Sequence, residues 1–117
     1  AQARYDQAKF DEGLKVLDEV SSPGAFGAGV ESLKAAGYEG KLQFDKAAEH
    51  YQAAVAKAQL TGEKDYLKGE AARALTAAGK QAEAKKLWEE LAAKVDSPMA
   101  GEAKVRLGEL TATPIKN

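Results

Sequence analysis

The chain has 117 residues, 44% of them hydrophobic and 30% charged, with 17 basic side chains against 18 acidic ones and a formal charge of −1. That is one domain's worth of sequence, and the balance of charge gives no electrostatic reason to expect a nucleic acid or an anionic membrane as partner. The lack of cysteine removes disulfides, thiolate catalysis and cysteine metal sites, and the single histidine, His50, removes any histidine-pair metal site.

Alanine supplies 25 residues, against six valines and one isoleucine, Ile115, and the three prolines stand at 23, 98 and 114. Alanine is the best helix former and β-branched residues favour strands, so the composition predicts an all-α chain. No apolar run is long enough to cross a membrane as a helix. The chain opens on Ala1-Gln2-Ala3-Arg4-Tyr5, a helix-like stretch without a signal peptide, which reads as part of a longer protein.

Residues 1–7 read as the end of one helix and about 10–20 as a second. Ser22-Pro23 supplies a capping hydroxyl and a proline for the first turn of a helix over 25–39, which pairs with 43–58. Thr61-Gly62-Glu63 is a weaker start for a helix over 64–78, paired with 81–94. Gly40 and Gly79 fall where the first helix of each pair turns into the second. Ser97-Pro98 opens a last helix over 98–110, and 111–117 reads as a disordered polar tail.

The chain repeats internally. The block from Phe10 to Leu17 aligns with the block from Phe44 to Tyr51 and with that from Gln81 to Trp88, at offsets of 34 and 37 residues. Each carries a small residue (Gly13, Ala47, Ala84) three positions in and a large one (Leu17, Tyr51, Trp88) seven in. That spacing places both on one helical face, where the small side chain admits a neighbouring helix. The expected organisation is a partial repeat at 1–22, repeats at 23–60 and 61–96, and a terminal helix at 97–110.

These residues resemble the tetratricopeptide repeat family, a helix–turn–helix unit that recurs every 34 residues. Ala35, Tyr38, Phe44, Ala47, Tyr51 and Ala54 match one repeat; Ala72, Leu75, Gly79, Ala84, Trp88 and Leu91 match the next. Leu107-Gly108 is similar to the Leu-Gly pair of a following first helix. Lys34, Lys68 and Gln81 depart from the pattern, and the linker Gln59–Lys64 is three residues longer than the family's. The resemblance implies an α-solenoid, a right-handed superhelix of antiparallel helix pairs. A narrower resemblance, through Lys68-Gly69-Glu70-Ala71, Lys80-Gln81, Trp88 and Ser97-Pro98, is to bacterial proteins with one transmembrane anchor and a periplasmic repeat domain, one group of which accompanies the Sec translocon.

Residues that suggest chemistry have plainer readings. His50 lacks a nucleophile elbow or a cysteine to serve and reads as a surface histidine. Asp11-Glu12, Asp18-Glu19 and Glu89-Glu90 sit among lysines, as on a solvated helix face. Gly24–Gly29 has no strand before it and no Gly-Lys-Ser/Thr, so it reads as helix punctuation and not a phosphate loop. Tyr38, Tyr51 and Trp88, at helical spacing, read as core. No enzyme, cofactor or metal site is expected.

What remains is a groove. In the resembled family the first helices of the pairs line the concave side. Here that implies partner contacts from Tyr5, Ser32, Glu39, Tyr66, Arg73, Thr76 and Glu102, with Gly69 and Ala36 also facing inward. The expected function is a non-catalytic scaffold for a protein or peptide. Self-association, or service as an accessory domain of a larger enzyme, are the alternatives.

Overall fold

The structure, a computed structural model, describes residues 2–19 and 27–111, with side chains placed for 8–16 and 27–110. The described residues form six α-helices and no strand: α1 (Gln2–Glu19), α2 (Gly27–Gly40), α3 (Phe44–Lys57), α4 (Thr61–Ala77), α5 (Gln81–Ala92) and α6 (Ala100–Thr111). Consecutive helices pack on one another in chain order. The radius of gyration is 15.6 Å, against about 13 Å for a compact chain of this length. The extents of 46 × 38 × 18 Å describe a slab, about two helix layers thick.

α1 runs unbroken through Ala8 and Lys9, where two separate helices are expected from the sequence. Nothing between Gln2 and Glu19 breaks a helix: the stretch has no proline, and Gly13 alone costs only about 1 kcal/mol relative to alanine. The Ser22-Pro23 start signal and the tail from Ala112 onward lie outside the described residues.

The two central hairpins, α2–α3 and α4–α5, repeat each other at an offset of 37 residues. Ala35 and Ala72, Ala47 and Ala84, and Tyr51 and Trp88 are buried at matching positions, as are Ala54 and Leu91. The turns match bond for bond. Gln43 N–H donates to the Tyr38 carbonyl at 2.9 Å and Lys80 N–H to the Leu75 carbonyl at 2.8 Å. Leu42 N–H donates to Glu39 and Gly79 N–H to Thr76. This closure needs a left-handed residue after the helix. Gly79 supplies it at φ +82°, while in the first hairpin Leu42 adopts φ +61° with its side chain 72% exposed. Gly40 therefore is not the turn residue. It ends α2 beneath the Phe10 ring, and a Cβ there would run into that ring.

The first block of the sequence alignment does not share this packing. Gly13 is exposed and a Cβ added to it would meet nothing, so it admits no helix. At the α1–α2 contact the small residues are on α2: Phe10 lies over Gly40, and Leu14 over Gly37.

The α5–α6 connection is held by a buried carboxylate. Asp65, on α4, is 3% exposed and accepts a 2.7 Å hydrogen bond from Lys94 Nζ. Burial pushes its carboxyl up, but hydrogen bonds from Lys94 and Ser97, with the charges of Lys94 and Lys68, outweigh burial and hold it below its ordinary value. The Ser97 hydroxyl oxygen also accepts Met99 N–H at 3.1 Å, closing the turn before α6. Pro98 thus lies in that turn, two residues ahead of Ala100, and not in the first helical position.

Candidate functional site

Of the expected groove residues, Arg73 and Glu102 are joined to each other, and Glu39 is joined to the neighbouring helix. On α2, Glu39 Oε1 accepts the phenol hydrogen of Tyr51, on α3, at 2.6 Å. Tyr51 is buried, and burial raises its phenol well above the ordinary value. The Glu39 hydrogen bond and charge add to this, as does the nearby Tyr66, while Arg73 opposes it. The Tyr51–Glu39 bond joins α3 to α2. Tyr66, on α4, is 54% exposed.

A separate set of contacts joins α4 to α6. Arg73 donates to both Glu102 carboxylate oxygens, through Nε at 3.0 Å and Nη2 at 2.7 Å, and its Nη1 pairs with Glu70 one turn back. The fork geometry fits a carboxylate with two parallel bonds. Those bonds hold the Glu102 carboxyl below its ordinary range against the effect of burial, helped by the charges of Arg73 and Arg106. Arg106 reaches Glu102 at 3.5 Å and Glu109 at 3.3 Å.

Beside this network lies a cavity of about 380 Å³ lined by Arg73, Thr76, Ala77, Trp88, Arg106, Glu109 and Leu110. Thr76 donates its hydroxyl to the Ala72 carbonyl at 2.9 Å, which leaves its oxygen lone pairs toward other donors. Trp88, 1% exposed, belongs to the core and supplies an apolar wall.

A second opening, of about 480 Å³, lies between α1 and α2 and is almost wholly apolar: Phe10, Gly13, Leu14, Val16, Leu33, Ala36 and Gly37 line it, with Lys9 beside them. Val16 and Leu33 are 60% and 59% exposed.

The structure thus joins Arg73 to Glu102, places Arg73 and Thr76 on the wall of one cavity, sets Glu39 on the Tyr51 phenol, and leaves Ser32 half-buried on α2 and Tyr66 exposed on α4. The Tyr5 side chain lies outside the described residues. Gly69 does not face a groove: it is buried beneath Met99, whose methyl a Cβ would strike. Sequence reasoning does not single out Arg106 and Glu109 on α6. Their spacing of four and seven residues from Glu102 is the signal that could find them.

His50 is not a plain surface residue. Its ring stacks on Tyr38 with centroids 5.2 Å apart, and Nδ1 stands 3.4 Å from Glu31 Oε2, so it joins α2 to α3. Lys46 lies over the other partner of that stack, 5.6 Å from the Tyr38 ring centre. Tyr51 and Trp88 are core, and Tyr38 packs against the core partly buried. Asp11, Glu12, Glu89 and Glu90 are exposed; the side chains of Asp18 and Glu19 lie outside the described residues. Among the described residues no group of three or more histidine, aspartate or glutamate side chains is placed to hold a metal ion. No described helix is long and apolar enough to cross a membrane.

No protein-family model matches the chain, and no curated protein or solved structure matches it.

Proposed function

We propose that the chain is a tetratricopeptide-like α-solenoid that binds a peptide segment of a partner protein, without catalysis, along the face carrying Glu39, Tyr66, Arg73, Thr76 and Glu102. The observation that carries this reading is the cavity bounded by Arg73, Thr76 and Arg106 over the Trp88 wall. The hairpin recurrence at 37 residues and the slab-like shape support the solenoid half of the proposal. An apolar wall with a few placed polar groups is the usual make-up of a binding cleft, and an exposed tyrosine such as Tyr66 is a frequent anchor at interfaces.

The test uses a random-peptide phage library panned on the chain. Substitution of Arg73 is a poor probe, because it breaks the Glu102 and Glu70 pairs and disturbs the α4–α6 junction. Thr76→Arg fills the cavity from its lining, and Tyr66→Ala removes the exposed aromatic. Selected peptides lose binding to both variants. Peptides that bind both variants as tightly as the parent chain refute the proposed face.

A further inference from the structure

The charges around the α4–α6 cavity do not balance. Arg73 commits all three guanidinium nitrogens to carboxylates: Nε and Nη2 to Glu102, and Nη1 to Glu70. Glu102 commits both oxygens in return, and one of them also faces Arg106 Nε at 3.5 Å. These two residues therefore offer a ligand little beyond the bonds they already make. Arg106 reaches Glu109 Oε1 through Nη1 at 3.3 Å. Three carboxylates, Glu70, Glu102 and Glu109, thus stand against two guanidiniums, Arg73 and Arg106, so the network carries one negative charge in excess. The open acceptors lie on the cavity wall. Among the described residues Glu109, 61% exposed, is engaged through Oε1 alone. Thr76 gives its hydroxyl hydrogen to the Ala72 carbonyl, so toward the cavity its oxygen can only accept. Ala77, Leu110 and Trp88 make up the apolar part of the same wall.

We infer that this cavity takes one lysine or arginine side chain of the bound peptide, its methylene stem along Ala77 and Leu110 and its cationic head on Glu109 and Thr76. The inference rests on the proposed binding face and adds to it the residue type that the cavity selects. A long basic side chain has the matching make-up, an apolar stem that ends in several N–H donors. A carboxylate in the same place is disfavoured twice. Arg73 is already held by Glu70 and Glu102, and the incoming group stands against Glu109, a like charge. Arg106 is bound less closely, at 3.3 and 3.5 Å, but it lies between Glu102 and Glu109, so an anion brought to it meets both. An aliphatic side chain fills the apolar part and leaves the acceptors of Thr76 and Glu109 without a donor.

The test starts from the library peptides whose binding Thr76→Arg abolishes. These share a lysine or arginine at one position. Fluorescence anisotropy compares synthetic versions of each peptide with lysine, norleucine or glutamate at that position. Norleucine keeps the stem and removes the charge, and it binds about twofold to fivefold more weakly, the worth of a partly exposed ion pair. Glutamate binds about tenfold or more weakly. Glu109→Gln, at an exposed position, leaves the helical circular dichroism unchanged. It weakens the lysine peptide by the same factor as the norleucine replacement and does not affect the norleucine peptide. Thr76-dependent peptides that share no basic position overturn the side-chain chemistry and leave the binding face standing. So does a lysine-to-norleucine ratio that is the same on Glu109→Gln as on the parent chain. A library that yields no peptide sensitive to Thr76→Arg overturns the face and this inference with it.

Discussion

The Asp65–Lys94 pair is asymmetric, and the asymmetry predicts which half is more costly to remove. Asp65 is 3% exposed, whereas the Lys94 side chain is 39% exposed. In Asp65→Asn, the lysine loses its partner but turns into water beside a cleft of about 360 Å³ lined by Thr61, Asp65 and Lys94. The loss is then one charge-assisted hydrogen bond, about 1–2 kcal/mol. In Lys94→Met, the carboxylate stays buried with Ser97 and the more distant Lys68 charge. Breaking a buried pair from this side costs about 3–5 kcal/mol, and the open cleft reduces that to about 2–4 kcal/mol. The double variant costs less than the two singles together, because each removes the same contact. The pH dependence follows from the sign of the shift. The folded carboxyl lies below the ordinary value of 3.8, so its contribution is present above that pH and is lost as pH falls through the folded value. In Lys94→Met the lysine's share of that lowering is gone, so acid removes less stability from the variant than from the parent chain and the deficit shrinks. Urea unfolding of the parent and three variants at about pH 7 and about pH 3 reads both effects. A loss from Asp65→Asn equal to or larger than that from Lys94→Met, or a Lys94→Met deficit unchanged by acid, refutes this account of the clamp.

Two further predictions concern the hairpins. Leu42 holds φ +61° with its side chain mostly in water. Leu42→Gly relieves a left-handed conformation costing about 1–2 kcal/mol, partly offset by glycine's greater freedom when unfolded. A net gain of about 0.5–1 kcal/mol and a melting point higher by about 2–6 °C are expected; Gly79→Ala should lose about 1 kcal/mol at the matching position. Scanning calorimetry measures both, and a destabilised Leu42→Gly contradicts the reading. Ala47 and Ala84 are fully buried where consecutive helices touch. Replacing either by leucine overpacks the contact by about 1–3 kcal/mol, and unchanged melting points in both variants would sink the shared register.

The central hairpins are legible because their signals are local. Alanine at positions 35, 47, 72 and 84 marks close helix contacts, and Tyr51 and Trp88 mark the space that those contacts leave. The ends of α3 and α5 fall within two residues of the expected bounds. Gly40 misleads because a glycine can serve two purposes. It can adopt a positive φ, or it can simply omit a Cβ where another chain segment lies close. The sequence does not distinguish them, and at Gly40 the second holds because Phe10 comes from α1, more than two dozen residues earlier. Gly13 misleads the other way. A small residue at helical spacing predicts a contact only if a helix lies against it, and Gly13 borders the opening between α1 and α2 instead.

The same distinction governs the candidate site. A residue type identifies what a side chain can do, but its neighbours decide what it has left to offer. Arg73 reads from the sequence as a free anchor, yet its guanidinium is spent on Glu102 and Glu70, so it acts as a strut between α4 and α6. That role does not show in local spacing, since the two partners of the 2.7 Å bond are 29 residues apart on different helices. Asp65 and Lys94 are separated by the same 29 residues, and their pairing is hidden for the same reason. Both pairs link α4 to the chain beyond α5, one near each end of α4. Together they fix the last helix and the connection before it against α4 at two points. The cavity beside Arg73 therefore has walls whose relative positions are set by charge pairs, the preorganisation on which the proposed binding would draw.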